Sequence, residues 1–366
     1  MHGVLPASVH VAHTMRRVSV FLGGIVILAA LGWCLDLGVG GHAQTQGAGT
    51  TAGTSAPLEI PAEAARYEDI LDITDADARD GVWVVLDRKA SRVHVLDPAG
   101  PAVTSFGRRG SGPGELSRPS TLVLHGDTVV VVEQLGGVVH LFDGSGRHIV
   151  DRHLQVPGCR TPMIFDAVSN AEGLMFLVTC PGIRLNTKAF AALETAGANA
   201  RILASTAARR TPRDRVDPLF TPVLASHPDG IVFGAAGDAC LSVVDLSGAS
   251  IGEECTAWLE RLPLPPGDQA QMTRMRTRLA TLAARVESPE TLPPFDALFS
   301  LGDSGYAFRV PTRHGAASRR LTVEAGSPVA DVRLPVAHFV FAAEGAALLG
   351  WESTDGIRIA RYDLRR

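Results

Sequence analysis

Three stretches of the chain have residue types and spacings that could support chemistry. Gly107–Glu115 (GRRGSGPGE) is glycine-rich, but it lacks the Gly-Lys-Ser/Thr ending of a phosphate-binding P-loop and no helix follows it. Asp75 and Asp77 resemble the start of a calcium loop, yet Arg79 stands where an oxygen ligand is needed. Gly302–Gly305 reads G-D-S-G, as in serine proteases. We interpret the three as a connection between structural units, a solvated turn and a hairpin turn.

The other reactive side chains form no recognisable catalytic or metal-binding pattern. The histidines show neither an i, i+4 pair nor an H-E-x-x-H motif, and no two cysteines form a C-x-x-C pair. The net charge is −4, with arginines and acids interspersed along the chain, which does not favour nucleic-acid binding. The motifs therefore predict no catalytic residue, no metal ligand and no cofactor.

A repeated turn organises most of the chain. Six times, an acidic or small residue beside glycine leads directly into four or five apolar residues, as in Asp80-Gly81 before VWVVL and Gly126-Asp127 before TVVVV. Short apolar runs without polar alternation indicate strands that are buried on both faces. A second turn of the form D-x-x-G follows in several units, at Asp97, Asp143 and Asp245. The two turns therefore predict that each unit is a four-stranded antiparallel meander.

The turn glycines set the predicted number of units. They lie at 81, 126, 173, 230, 305 and 345, with separations near those of propeller repeats except for one long gap. We predict an all-β fold, a six-bladed β-propeller over residues 58–366 with four-stranded antiparallel blades. The long gap holds a proline-bracketed segment in which Met and Leu recur at helical spacing, which predicts one helical insertion over residues 268–286.

The N-terminal region indicates export. Arg16 and Arg17 precede an uncharged apolar run over residues 18–35, and a small-x-small site ends at Ala43. Residues 1–43 are therefore predicted to be a signal peptide or an uncleaved membrane anchor, which would be the chain's only contact with a membrane. Residues 44–57 are small and polar and predict a flexible linker. The rest of the chain is then predicted to be periplasmic or secreted. If the segment is not cleaved, residues 18–35 would tether the protein to the inner membrane.

Four cysteines remain after the export segment, an even number that suggests two disulfides in an oxidising compartment. Cys240 and Cys255 flank the D-x-x-G turn at Asp245, so they can face each other across two antiparallel strands unless a bulge turns them to opposite faces. Cys159 and Cys180 flank an earlier turn in the same way. We predict the pairs 240–255 and 159–180.

One unit resembles a known repeat family. Ser105–Phe142 is similar to an NHL repeat, whose opening F-G-x-x-G-x-G-P-G-x-[FL]-x-x-P is matched by a set of residues here: Phe106, Gly107, Gly110, Gly112, Pro113, Gly114, Leu116 and Pro119. Elsewhere the similarity is limited to turns. The resemblance is to six-bladed propellers exported by environmental and gut bacteria, and it implies a fold far more than a function.

Two functions fit such a propeller. The first is a module that binds a small molecule, a glycan or a protein at one mouth of the central channel. The alternative is a metal-dependent lactonase- or lyase-like enzyme that uses the channel. Calcium-dependent lactonase-like propellers place their metal ligands around the central channel, so calcium would be the cofactor under this alternative and no cofactor is predicted under the first function. Because no catalytic pattern assembles from the residues, we favour binding over catalysis.

The candidate binding residues follow the buried strands. The ends of these strands approach one mouth of a propeller, where loops from several blades converge. Five polar residues occupy equivalent positions there: Arg88, Glu133, Gln134, Arg309 and Glu352. The last unit has only three strand candidates, so closing the ring requires a further strand. We predict that residues 57–61 pair with residues 356–363.

Overall fold

A computed structural model describes most of the predicted domain. The described residues are 65–67, 69–96, 103–180, 188–194, 199–207, 221–256, 259, 269, 291, 293–302, 305–310, 319–324, 327–333, 339–343, 345–353 and 356–363. All of them belong to the unit Leu37–Arg366. The export segment and the linker lie outside the described residues.

The first half of the described chain consists of short strands in sequence order. They are β1 (Ala65–Tyr67), β2 (Ile73–Arg79), β3 (Val82–Asp87), β4 (Arg92–Leu96), β5 (Val103–Phe106), β6 (Pro119–His125), β7 (Thr128–Glu133), β8 (Val138–Asp143), β9 (His148–His153), β10 (Met163–Asn170), β11 (Gly173–Thr179), β12 (Lys188–Glu194) and β13 (Ala200–Ala207).

The second half continues in the same manner. Its strands are β14 (Pro222–His227), β15 (Gly230–Ala235), β16 (Cys240–Asp245), β17 (Ser250–Cys255), β18 (Ala297–Ser300), β19 (Tyr306–Val310), β20 (Arg319–Glu324), β21 (Ser327–Arg333), β22 (Phe339–Ala343), β23 (Ala346–Ser353) and β24 (Gly356–Asp363).

These strands form a β-propeller of four-stranded antiparallel blades. Six sheets have four strands each: β2–β5, β6–β9, β10–β13, β14–β17, β18–β21, and β22–β24 with β1. The first strand of each sheet contacts the first strand of the next, and β22 contacts β2, so the first strands surround a central channel. Hydrophobic clusters join the neighbouring sheets, as where Trp83 and Ile73 of the first sheet pack with Phe341 and Ile357 of the last.

The sequence pattern of the second strands explains their place in the blade. β3, β7, β11 and β15 are buried along nearly their whole length, because each lies inside its sheet and packs against both neighbouring blades. The D-x-x-G segments at Asp143 and Asp245 form the predicted turns, and the one at Asp97 lies outside the described residues. In both described turns the backbone N–H of the fourth residue donates to the carbonyl of the aspartate, from Gly146 to Asp143 and from Gly248 to Asp245.

The ring closes by the predicted mechanism but with a different segment. β1 pairs antiparallel with β24, with Ala65 opposite Ile359 and Tyr67 opposite Ile357. The closing strand is therefore residues 65–67, and the predicted segment 57–61 lies outside the described residues. Tyr67 is buried, and its packing with Ile357 and Ile359 explains why this short strand occupies the edge.

Both predicted disulfides are confirmed. Cys159 is joined to Cys180 and Cys240 to Cys255. Cys240 and Cys255 are direct partners in the β16–β17 register, although a register shift between Val243 and Val244 lies inside the hairpin. The bulge thus does not separate the two side chains.

The predicted helix 268–286 lies outside the described residues except for Gln269, which is helical. In the described part of the chain, no helix has both the length and the apolar character needed to cross a bilayer.

Strand direction places the loops at two opposite ends of the propeller. Contacts from Asp75 to Leu122 and from Asp77 to Leu124 align β2 parallel to β6. The first strands therefore begin at one end, which also holds loops 88–91, 107–118, 134–137 and 154–162. We call this end the loop face. The opposite end holds the tight turns at 80–81, 126–127, 171–172 and 228–229, and we call it the turn face.

Candidate functional site

The loop face holds the described candidate residues, beginning with Arg88. Arg88 follows β3, its side chain is 42% exposed, and its Nη2 lies 3.6 Å from Oδ2 of Asp72. The backbone N–H of Arg88 also donates to the carbonyl of Asp72. The β3–β4 loop is thereby fixed to the chain that enters β2, which leaves the guanidinium largely in solvent.

Glu133 ends β7 in the second blade, one residue before Gln134, the counterpart of Arg88, and its side chain is turned inward. It is buried, and its two carboxylate oxygens accept hydrogen bonds from the backbone N–H groups of Ser117 and Arg118. Its Oε1 lies 3.4 Å from Nε2 of His140. Glu133 therefore attaches the linker between the first two blades to strand β7. In this way it positions part of the loop face from inside the blade.

His140 extends this contact to the outer strand of the blade. Its Nδ1 donates to Oδ1 of Asp151 over 2.7 Å, and Nε2 of His148 donates to the same oxygen over 2.7 Å. Burial alone would lower the pKa of His140, but Glu133 and Asp151 outweigh it and raise that pKa. Burial likewise opposes the shift at Glu133, whose pKa is lowered by His140 and by the N–H groups of Ser117 and Arg118.

The first blade repeats the arrangement with a shorter acid. Asp87 is fully buried and accepts hydrogen bonds from the backbone N–H groups of Leu71 and Ala90. Its Oδ2 lies 3.8 Å from Nε2 of the buried His94, whose Nδ1 is 2.8 Å from Oγ of Ser105. Two consecutive blades thus use a buried carboxylate facing a histidine to brace the loops of one face.

The remaining candidates have different surroundings. Gln134 is half-buried, and its backbone bonds to Arg118 and to Ile164, so it joins the first-to-second linker to the third blade. Arg309 is the penultimate residue of β19, the second strand of another blade, and donates from Nε to Oδ1 of Asp296 over 2.6 Å. The backbone of Glu352 pairs with Ile357, and its side chain lies outside the described residues.

The glycine-rich stretch is a connection between blades, as predicted, and it encloses a carboxylate of its own. Oε2 of Glu115 accepts hydrogen bonds from the backbone N–H groups of Ser111 and Gly112, at 3.0 and 2.9 Å. Arg108 donates from Nε to Oε1 of Glu115 over 2.8 Å. A Cβ at position 110 would collide with Oε2 of Glu115, which explains the glycine there. The amide groups of this loop are thus already occupied by an internal anion.

The two ends of the propeller differ in the charges they expose. The loop face has exposed cations at Arg88, Lys89, Arg108, Arg109, Arg118 and Arg160. It also exposes two large apolar side chains, Leu71 at 53% and Leu135 at 40%. The tight turns of the turn face expose acids instead, at Asp80, Asp127, Glu172 and Asp229. The loops of one end therefore present cations and apolar side chains, and the tight turns of the other end present acids.

A second group of polar residues lies along the first strands, inside the ring. Oδ2 of Asp75 on β2 accepts hydrogen bonds from the hydroxyl of Thr121 and from the backbone N–H of Leu122, both on β6. Asp77 accepts from the backbone N–H of Leu124 in the same way. Register shifts precede Asp75, Thr121 and Asp166 at matching places in three consecutive first strands. The bulges therefore place these three polar side chains at equivalent positions.

The carboxylates inside the ring are hard to ionise. Desolvation raises the pKa of Asp75 to about 6 despite its hydrogen bonds to Thr121, Leu122 and Ala76, and the charge of Asp77 adds to the rise. Desolvation also raises the pKa of Asp166 well above its usual value, and the charge of Asp75 is the next cause. The solvated-turn interpretation of Asp75 and Asp77 was wrong, because both belong to strand β2 and are only partly exposed.

These carboxylates do not converge as a set of metal ligands. Among the described residues, the single group of three histidine, cysteine or acidic ligand atoms within 4.8 Å of one another is Cys240, Glu253 and Cys255. Its two sulfur atoms are joined in a disulfide, so they are not available as thiolates.

Comparison with known proteins finds distant similarity to solved structures and no family. No protein-family model matches the chain, and no curated protein matches it. Similar solved structures include a gluconolactonase from Xanthomonas campestris, with 12% identity, a TM-score of 0.49 and coverage of 87% of this chain and 99% of that one. For a putative exported protein from Bacteroides fragilis these values are 9%, 0.49, 80% and 86%. For the calcium-binding protein regucalcin from Agrobacterium tumefaciens they are 13%, 0.45, 81% and 92%.

Proposed function

We propose that this chain is an exported, six-bladed propeller of the NHL-repeat type that binds a ligand across its loop face. The six four-stranded sheets, with contacts between successive first strands, support six blades. The Phe106–Pro119 match supports the repeat type. Two disulfides support a location outside the cytoplasm, because cytosolic thiols are kept reduced. Residues 18–35 would act as the export signal or as a tether to the inner membrane.

The binding proposal rests on one observation. Buried carboxylates hold the loops of the loop face in place, and side chains next to these carboxylates stay exposed to solvent. Asp87 and Glu133 turn inward and hold four backbone N–H groups of the loops. Arg88 and Leu71 next to these braces remain substantially exposed. Binding surfaces are commonly built from loops that a rigid scaffold positions. Arg88, Gln134 and Arg309 are the ligand-contacting candidates, and Glu133 acts through the linker that it holds.

A thermal-stability screen of the full chain against sugars, short peptides and metal ions would identify ligands, because a molecule that binds the folded state raises the Tm. For any ligand found, Arg88→Ala with Gln134→Ala should weaken binding at least fivefold. Arg201→Ala, whose guanidinium donates to the carbonyls of Leu246 and Ser247 in a different pair of blades, is the control and should bind as the wild type does. Unchanged affinity in the loop-face variant, with wild-type circular dichroism, would move the site elsewhere.

The second candidate function is an enzyme that uses the channel, with calcium as its metal. The observation that favours it is the pair Asp75 and Asp166 inside the ring: the pKa of Asp75 is raised to about 6, which suits proton transfer near neutral pH, and burial raises the pKa of Asp166 as well. Lactone hydrolysis by the full chain, measured with calcium and with a chelator, tests this function. Activity that Asp166→Asn abolishes would support it, and no turnover above background in either condition would exclude it for lactones.

A further inference from the structure

The loop face presents cations that the fold does not use for its own ion pairs. Lys89, Arg109, Arg118 and Arg160 are exposed, and none of them forms an ion pair with a carboxylate in the described part of the chain. Three of the nearby carboxylates have inward-facing roles instead. Asp87 and Glu133 accept backbone N–H groups, and Glu115 is held by Arg108 and by the loop amides.

The contacts between the loops make these cations parts of one surface. Nη2 of Arg109 donates to the carbonyl of Lys89 over 2.6 Å, which brings the first-to-second linker onto the β3–β4 loop. Gln134 donates from its backbone to the carbonyl of Arg118, which joins the same linker to the β7–β8 loop. Lys89, Arg109 and Arg118 therefore lie along a continuous band that crosses the first two blades. We call this band the cationic band.

We propose that the cationic band binds an acidic polysaccharide, a polymer whose carboxylates contact several of these side chains at once. This inference rests on the proposed function and names its ligand class. The protein as a whole has a net charge of −4, so general attraction does not favour a polyanion, and only a local surface can bind one.

The exposure of the cations argues for a polymer over a single small anion. One exposed ion pair changes affinity by about a factor of five or less, because water screens the charges. Several weak contacts made by one chain add up, because after the first contact the others form within the same molecule. The Glu115 carboxylate already occupies the amide groups of the glycine-rich loop, so the ligand meets guanidinium and ammonium groups instead.

The side chains of the band favour a carbohydrate over a single-stranded nucleic acid. Proteins that bind single strands without sequence preference stack bases on aromatic rings. In the described loops 88–91, 107–118 and 134–137, no aromatic side chain is present. The guanidinium groups of Arg109 and Arg118 suit planar carboxylates, which they can bind with two parallel hydrogen bonds.

The test uses the full chain and two double variants with the same change of charge. Lys89→Gln with Arg118→Gln removes two cations of the band. Arg79→Gln with Arg201→Gln removes two arginines outside the band, each of which donates to a backbone carbonyl of the next blade. Polygalacturonate is the probe, with its uncharged methyl ester and single-stranded DNA for comparison, and affinity is measured at two salt concentrations.

We expect the wild type to bind polygalacturonate more tightly than the methyl ester or the DNA, and more weakly as salt rises. The band variant should lose at least fivefold in affinity, and the control variant less than twofold. Equal losses in both variants, tighter binding of DNA, or no binding of polygalacturonate by the wild type would each overturn this inference. The two proposals can fail separately. If the stability screen finds an uncharged ligand whose binding requires Arg88 and Gln134, the proposed binding function stands and only the acidic polysaccharide as its ligand is wrong.

Discussion

The carboxylate of Glu133 lies 3.4 Å from Nε2 of His140, at the point where the second blade meets the linker from the first. The same carboxylate accepts the backbone N–H groups of Ser117 and Arg118. One buried side chain therefore connects the inside of a blade to the surface that we propose binds a ligand. The stability of the blade and the geometry of the loop face should respond together when this contact is altered.

Replacing Glu133 tests that connection. In Glu133→Gln one oxygen becomes an NH₂ group, which cannot accept a backbone hydrogen bond and leaves a donor without its partner. The expected loss in the free energy of unfolding is about 1–3 kcal/mol, measured by urea denaturation. Glu172→Gln, an exposed acid in a tight turn, is the matched control and should change stability by less than about 0.5 kcal/mol. An equal effect of the two substitutions would contradict the role given to Glu133.

The histidine of the same contact predicts a pH dependence. The folded-state pKa of His140 is raised above 6.5, so its stabilising contribution is complete below pH 6.5 and is lost as pH rises through the folded-state value. The pKa of Glu133 is lowered from 4.5, so its contribution is complete above that pH and is lost as pH falls. The Tm difference between the wild type and His140→Gln should therefore be largest between about pH 4.5 and 6.5. A difference that grows from pH 7 to pH 9 would contradict this assignment.

The acids inside the ring predict that replacing one of them raises the Tm at high pH. The pKa of Asp166 is raised in the folded state, so ionisation at higher pH disfavours folding. Asp166→Asn removes that charge, and we expect its Tm to exceed the wild-type value by about 2–4 °C at pH 8. The gain should disappear near pH 4. Asp229→Asn, on an exposed turn, is the control, and a gain of similar size there would assign the effect to net charge instead.

The sequence predicts the blades better than it predicts the channel. Turn glycines and apolar runs are local signals, so the second strands and the Cys240–Cys255 pair can be read from spacing alone. Asp75 and Asp166 are far apart in the chain, and only the ring of first strands makes them neighbours. The alternation of Asp75 and Asp77 was itself a strand signal, which the nearby Asp80-Gly81 turn obscured. Glu133 and His140 could have been found as a repeat, because Asp87 and His94 have the same spacing.

The closing strand that the structure describes is Ala65–Tyr67, and the predicted segment 57–61 lies outside the described residues. Leu58–Pro61 has the stronger strand pattern in the sequence, whereas Ala65–Tyr67 pairs with β24 and buries one aromatic ring at the junction. Tyr67→Ala should lower the free energy of unfolding by about 3 kcal/mol, because a large buried side chain is removed from the junction of the last and first blades. Leu71→Ala, at an exposed position four residues later, should have little effect. Equal stability of the two variants would contradict closure through Tyr67.

Amide hydrogen exchange of the full chain, with and without a ligand from the stability screen, tests the binding proposal most directly. Our account predicts slower exchange in residues 88–91, 107–118 and 134–137 when the ligand is present. The turns at 80–81, 126–127 and 171–172 should exchange as before. Protection confined to those turns or to the outer strands β9, β13 and β17, with the loop-face residues unchanged, would contradict ligand binding at the loop face.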